Sequence, residues 1–275
     1  MINLIDVSGF IYRAFYALPS LTHNRMEVGA LYGFCSAMTK IISEFPKSMF
    51  IAALDCGKKT FRNDIYKEYK ANRKAMPTQL LDQIPFIKEA CKRFGFFIAE
   101  KSGFEADDVI ATYVKKGREH KINIISADKD LVQLLGKNVT IYNPVKQEYV
   151  TEDDVLKKFG VTSDKVLDVL SLTGDTSDNI PGVPGIGAKT AAALINEFGS
   201  LDNLISNLNH LPNNKKNEIL KNEIDKAILA KKLISLKDDL EMSFEYEVSV
   251  PNGISDFLTD FGFTSLVKPK QKQFF

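Results

Sequence analysis

The chain has 275 residues, a formal net charge of +1 and 44% hydrophobic residues. That length suits a full core with a smaller attached unit, and the composition is ordinary for a globular protein. No apolar run reaches the roughly 20 residues of a membrane span. The N-terminus lacks a basic region followed by an apolar stretch, so the expected location is cytoplasmic, with no membrane partner.

Cys35, Cys56 and Cys91 lie far apart with no CxxC pair, and His23, His120 and His210 are scattered. This argues against disulfides, a zinc cage or a histidine-based triad. The cysteines read as small buried hydrophobes. Carboxylates remain as the candidates for chemistry.

In chain order, Ile2 to Ile5 reads as a strand ending in Asp6, and Val28 to Glu44 as a helix. Met49 to Leu54 is a second strand, ending in Asp55. Residues 58–74 then hold seven Lys or Arg against Asp64 and Glu68, a local excess of +5. Within that run Arg62, Tyr66, Tyr69, Lys70 and Arg73 fall near helical spacing. On one helix face they would hold a phosphate backbone and stack an exposed base. Arg13, on the first helix after Asp6, is placed to join them.

Thr78 to Phe94 predicts a helix, Phe96 to Ala99 a strand, and Glu105 to Glu119 a helix opening Glu105-Ala106-Asp107-Asp108. Ile122 to Ile125 predicts a strand ending in Ser126-Ala127-Asp128-Lys129-Asp130, and Val139 to Tyr142 a fifth strand. This alternation argues for an α/β fold with a mostly parallel central sheet flanked by helices. Thr151-Glu152-Asp153-Asp154 reads as a capping box, which gives those acids a structural role. Gly174, Pro181, Gly182, Pro184, Gly185 and Gly187 predict a hairpin between helices, opening an all-helical unit near 160–175. Leu211 to Asn217 reads as a polar loop, and Lys268 to Lys272 as a disordered tail or linker. The expected division is 1–172, 173–260 and a tail over 261–275.

In an open parallel sheet, ligands sit beyond the carboxyl ends of the strands. Four connections deliver Asp6, Asp55, Glu105, Asp107, Asp108, Asp128 and Asp130 to that edge, and Asp175 and Asp178 stand before the hairpin. One aspartate after a strand is ordinarily a cap or turn residue. Several together repel, by roughly 4 kcal/mol for a pair about 4 Å apart, so they call for cations. Hard oxygen ligands without sulfur or imidazole suit magnesium or manganese, and two such ions are a standard means of phosphodiester hydrolysis. At the hairpin, backbone N–H groups and Lys189 suit a DNA phosphate. The spacing ending Gly187-Ala188-Lys189-Thr190 does not fit a nucleotide-binding P-loop.

With these motifs assembled, the chain resembles the 5′-nuclease domain of bacterial DNA polymerase I and related flap endonucleases over residues 1 to about 260. The specific segments are Gly103-Phe104-Glu105-Ala106-Asp107-Asp108, Asp128-Lys129-Asp130, and Gly174-Asp175-Thr176-Ser177-Asp178-Asn179-Ile180 with the glycine hairpin. The resemblance implies a PIN-like nuclease core and a C-terminal helix–hairpin–helix DNA-binding region. It implies two metal clusters: Asp6, Asp55, Glu105, Asp107 and Asp108 with Asp128 and Asp130 nearby, and Asp175 and Asp178 completing the second. It implies an arch over about 58–76, with Lys70 and Arg73 on the scissile phosphate and Tyr69 stacked on a base. Gly182, Gly185 and Gly187 would grip duplex DNA, with a potassium ion at the turn. The implied substrate is DNA with a 5′ flap, a nick or a 5′ single-stranded end, cut with Mg2+ or substituting Mn2+ to leave a 3′ hydroxyl, in replication and repair. A monomer is expected, working alone or with a DNA polymerase. The chain departs from the family pattern at Asp6-Val7-Ser8-Gly9, where the usual glycine is displaced, and at Ala127, but no carboxylate is missing. A non-catalytic DNA-junction binder and a ribonuclease on a similar scaffold are the rival expectations.

Overall fold

The computed structural model describes residues 1–57, 59–244 and 246–267. Lys58 of the basic run and the expected tail at Lys268–Lys272 lie outside the described residues. The strands are β1 (Ile2–Asp6), β2 (Thr22–His23), β3 (Met26–Glu27), β4 (Met49–Ala53), β5 (Phe97–Ala99), β6 (Ile122–Ile125), β7 (Val139–Asn143) and β8 (Glu148–Val150). The first six α-helices are α1 (Val7–Ala17), α2 (Gly29–Glu44), α3 (Phe61–Ile65), α4 (Thr78–Leu81), α5 (Ile84–Arg93) and α6 (Ala106–Lys116). The rest are α7 (Glu152–Phe159), α8 (Val166–Thr173), α9 (Ala188–Phe198), α10 (Leu201–Ser206), α11 (Lys215–Ile234) and α12 (Ile254–Asp260).

The main sheet runs β5-β4-β1-β6-β7-β8, with only the β7–β8 pairing antiparallel. All five predicted strands are present. The short β8 and the β2–β3 hairpin, which carry few apolar residues, were not predicted. The helix expected over Thr78 to Phe94 is two helices, and Pro85 sits in the first turn of the second. Proline has no N–H to give and is tolerated there.

β1 and β4 are buried on both faces. Successive side chains of a strand face opposite ways. Leu4, Ile51 and Ile124 accordingly enter an apolar layer with α6 and the helices beyond residue 160, while Ile5, Ala52 and Ile125 enter one with α1, α2 and α5. Sheet and C-terminal helices therefore share one continuous layer. The expected boundary at 172/173 falls at the end of α8, a helix that packs against α11 and α9. The capping box at Thr151 forms as expected: Asp154 N donates to Thr151 Oγ1 at 3.2 Å, and Thr151 N to Asp154 Oδ2 at 3.0 Å.

β4, β1 and β6 are adjacent, so their carboxyl ends share one edge. Register pairs Asp6 with Ala53 and Ile5 with Ile125. The glycine hairpin is seated by close backbone approach: a Cβ on Gly182 would lie 2.2 Å from the Thr173 carbonyl. Gly182→Ala is expected to destabilise the protein by about 1–3 kcal/mol, as overpacking does. Urea unfolding measures this, and an unchanged midpoint would show that the backbones do not meet there.

Candidate metal centre

The acids at this edge are held by hydrogen bonds from hydroxyls and backbone N–H groups, several of them from distant parts of the chain. Asp6 caps α1: its Oδ1 accepts from Gly9 N at 3.3 Å, and its Oδ2 accepts from Ser126 Oγ at 2.8 Å. A Cβ on Gly9 would lie 3.1 Å from Asp6 Oδ2, so a side chain there would crowd the carboxylate. Asp55 accepts from Ser8 Oγ at 2.7 Å and from Ala106 N, at the start of α6, at 2.9 Å. Asp128 accepts from Asp130 N at 2.8 Å. Ser8 and Ser126 were missed in the sequence. Both lie within two residues of a predicted acid, and that proximity was the available signal.

Electrostatics tie the set together. Burial pushes the Asp6 carboxyl up to about 6, with Asp128 and Asp55 adding to it. Burial, then Asp128, Asp6, Asp55 and Glu105, hold Asp107 well above the ordinary carboxylate range. Burial and Asp128 push Asp130 up to about 7, against the pull of Lys129. Among the described residues, Asp6, Asp55, Asp107, Asp128 and Asp130 form no ion pair.

The other three acids are paired. Glu105 accepts from Lys70 Nζ at 2.6 Å and from Tyr69 OH at 2.9 Å. Asp178 is bound by Arg73, with Lys70 Nζ at 3.6 Å. Asp175 pairs with Lys129 Nζ at 2.8 Å and accepts from Ser177 N and Oγ at 2.8 and 2.6 Å. Burial works against the Asp175 charge, but Lys129 and Ser177 outweigh it and the pKa is lowered.

Two expected site residues are corrected. Asp108 is fully buried, and both its oxygens are taken. Arg62 binds it at 2.6 and 2.8 Å, Lys237 N at 2.9 Å and Glu105 N at 3.1 Å. Four donors saturate a carboxylate, so none of its lone pairs is left for a metal. Arg62, expected on DNA, is 2% exposed and also donates to Leu233 O at 2.7 Å and Ser235 O at 3.2 Å. Burial opposes its charge, but Asp108 more than offsets that and its pKa is raised.

The expected arch is corrected too. Helix α3 stops at Ile65, Tyr66 is extended, and Lys70 adopts a left-handed φ of 56°. The stripe is therefore not one helix face. Tyr66 packs on the core, and Tyr69 is 5% exposed with its hydroxyl on Glu105, so neither ring offers a face to a base as placed. Lys70 and Arg73 do reach the acids. Arg13 is exposed on α1. At the hairpin Val183 and Ile186 are buried plugs, while Gly185, Gly187 and Lys189 are exposed and Gly182 half-buried. The first N–H groups of α9 have no intrahelical partner and face outward with that turn.

The donor set fits a hard divalent cation. Asp130 Oδ1 is buried without a hydrogen-bond partner, amid carboxylates that raise one another's pKa. Among the described residues no three such side chains are already arranged to hold a metal ion together.

A sequence model described as 5′-3′ exonuclease, N-terminal resolvase-like domain, matches residues 1–160, and one described as 5′-3′ exonuclease, C-terminal SAM fold, matches 161–255. A 5′-3′ exonuclease of Aquifex aeolicus is 36% identical over 98% of this chain and 95% of its own length. DNA polymerase I of Rhizobium leguminosarum is 38% identical over 96% of this chain, which spans only 28% of that relative. In fold the chain is similar to bacteriophage T5 5′-exonuclease with bound zinc, with a TM-score of 0.73 at 21% identity over 97% of this chain and 95% of the other. It is also similar to a T5 flap endonuclease in complex with DNA and metal ions, with a TM-score of 0.72 at 22% identity over 96% and 94%.

Two outcomes follow from the charges. Arg62→Ala leaves a buried carboxylate alone and is expected to cost about 3–5 kcal/mol in urea unfolding; a loss under 1 kcal/mol would mean that Asp108 is not buried as described. Raised acids bind more protons folded than unfolded, so stability is fullest below the unfolded pKa and is lost as pH rises through the folded value. In chelator, stability is expected to fall between about pH 4 and 7, on the order of 3 kcal/mol from Asp6 alone. Divalent cation is expected to restore it at pH 7. Thermal melts across that range check the slope, and a flat or rising profile would contradict it.

Proposed function

Because the chain belongs to the 5′-3′ exonuclease family, we propose that it is a magnesium-dependent, structure-specific nuclease that hydrolyses DNA at 5′ flaps, nicks and 5′ single-stranded ends. The observation that carries this reading is the orphaned Asp130 Oδ1 within five carboxylates that form no ion pair among the described residues. Asp6, Asp55, Asp107, Asp128 and Asp130 would hold one ion, and Glu105, Asp175 and Asp178 a second. Magnesium, or manganese in its place, supplies Lewis acidity there: it makes water a nucleophile at neutral pH and offsets charge on the attacked phosphate. The Aquifex relative named as a 5′-3′ exonuclease and the T5 flap endonuclease titled with DNA and metal ions support the assignment.

The protein's own groups do the rest. Ser126 and Gly9 fix Asp6, and Ser8 fixes Asp55, so these two acids are oriented before any substrate arrives. Lys70 and Arg73 would hold the scissile phosphate in place, with Arg13 from α1 and with Tyr69 stacking on a base if the 66–73 segment lifts. Attack would join a water oxygen to phosphorus as the P–O3′ bond breaks, giving a 5′ phosphate and, with a proton on the leaving oxygen, a 3′ hydroxyl. Exposed N–H groups at Gly185 and Gly187, with Lys189, would grip the duplex backbone without reading sequence, and a potassium ion at the turn would complete that grip. The expected working form is a monomer in the cytoplasm, serving primer and flap removal.

Asp107→Asn and Asp130→Asn are each expected to slow cleavage of a labelled 5′-flap oligonucleotide in magnesium on the order of 10²–10³-fold, while leaving binding of that DNA within about threefold. Tight binding by the wild-type chain with no product in magnesium or manganese would leave a DNA-junction binder instead. Faster cutting of a matched RNA would make it a ribonuclease.

A further inference from the structure

The two carboxylate groups at the sheet edge are balanced in different ways. Asp6, Asp55, Asp107, Asp128 and Asp130 form no ion pair among the described residues. Glu105 and Asp178 share Lys70, Arg73 binds Asp178, Lys129 binds Asp175, and the buried Arg62 also reaches Glu105 at 3.5 Å. These contacts are held from the backbone as well. Lys70 N donates to Asp178 O at 2.9 Å, Asn72 Nδ2 to Thr176 O at 2.7 Å, and Asn179 Nδ2 to Glu68 O at 2.7 Å. The segment 66–73 is thus clipped onto the loop bearing Asp175 and Asp178. Lys70 keeps a left-handed backbone, which a non-glycine residue holds only where its surroundings impose it. Lys70 and Arg73 side chains are 25% and 53% exposed, so a substrate phosphate can reach them.

We propose that Lys70 and Arg73 are resident counterions of the Glu105–Asp175–Asp178 group, which accepts a divalent cation only in exchange for them. A DNA phosphate is the competing anion that draws Lys70 and Arg73 away. The inference rests on the reading of this edge as a metal centre. It follows from charge. A cation arriving with Lys70 in place meets carboxylates already neutralised and a like charge beside them. With a phosphate present the ammonium and guanidinium have another partner, and the freed carboxylates need a cation in turn. Ion occupancy in the second group is then coupled to substrate, while the first group fills without it. Asn72 and Asn179 set the strength of the clip without carrying charge.

The test is calorimetric titration of the full chain with manganese chloride and no DNA. The wild-type chain is expected to bind one ion tightly and a second only weakly. The Lys70→Ala/Arg73→Ala variant is expected to bind the second at least tenfold tighter than wild type. A second event equally tight on both chains, or a single ion on both, would overturn the counterion role and leave the metal centre standing. No ion on the wild type would overturn both. Should the double variant not fold, Asn72→Ala removes one clip at an exposed position and keeps every charge. It is expected to tighten the second event about threefold or more, and no change would overturn the proposal.

Discussion

Like-charge repulsion at one edge of the sheet is the constraint on which this molecule is organised. Three adjacent parallel strands, β4, β1 and β6, end together, and each has an aspartate at its end or within three residues of it: Asp55, Asp6 and Asp128. The strands are rigid and buried on both faces, so the acids cannot separate by bending the sheet. Two means of neutralisation remain, and each half of the edge uses one. Near Asp175 and Asp178 the chain supplies its own cations. Around Asp6, Asp107 and Asp130 no ion pair forms among the described residues, and the carboxyls answer by holding protons at higher pH than usual. A site in that condition is held ready for an external cation.

The buried Arg62–Asp108 pair holds these halves in register. Such pairs add little net stability, because desolvation offsets much of the attraction, but losing one partner is costly. Here the pair joins α3, the start of α6 and the end of α11 through Leu233 O, Ser235 O and Lys237 N. Glu105 N binds the same carboxylate, which fixes the first turn of α6 and hence the direction in which Glu105 and Asp107 leave it. The Glu105–Asp108 cluster therefore divides its labour: Asp108 turns inward to structure, and Glu105 and Asp107 turn to the edge.

The positions of five strands, the carboxyl-edge placement of acids and the glycine hairpin were legible because each rests on local pattern. Apolar runs of strand length mark buried strands, and an acid directly after a strand inherits the strand's direction. What was not legible depends on partners distant in sequence. Asp108 and Asp107 are adjacent and chemically identical, and only the approach of Arg62, 46 positions away, separates their roles. Arg62 and Lys70 share a helical spacing that the chain abandons after Ile65, because Tyr69 and Lys70 gain bonds to Glu105 and Asp178 in the turn conformation. Periodicity cannot register contacts of that kind. The Lys129–Asp175 pair is hidden for the same reason, although both residues stood inside recognised motifs.

The loop from Gly174 to Ile180 links the two ends of the molecule mechanically. Asp175 and Ile180 exchange backbone hydrogen bonds at 2.8 and 3.0 Å, and Val183 N donates to Leu172 O at 2.8 Å. Gly174 and Gly182 touch backbone to backbone, closely enough that neither position has room for a Cβ. The hairpin cannot move without moving the residues that carry Asp175 and Asp178, because no flexible spacer lies between them. Those residues in turn hold the 66–73 segment through Lys70 N and Asn72. A force applied at the exposed turn thus reaches the carboxylates through hydrogen-bonded backbone alone, and the position of the turn and the arrangement of the acidic edge become one mechanical variable.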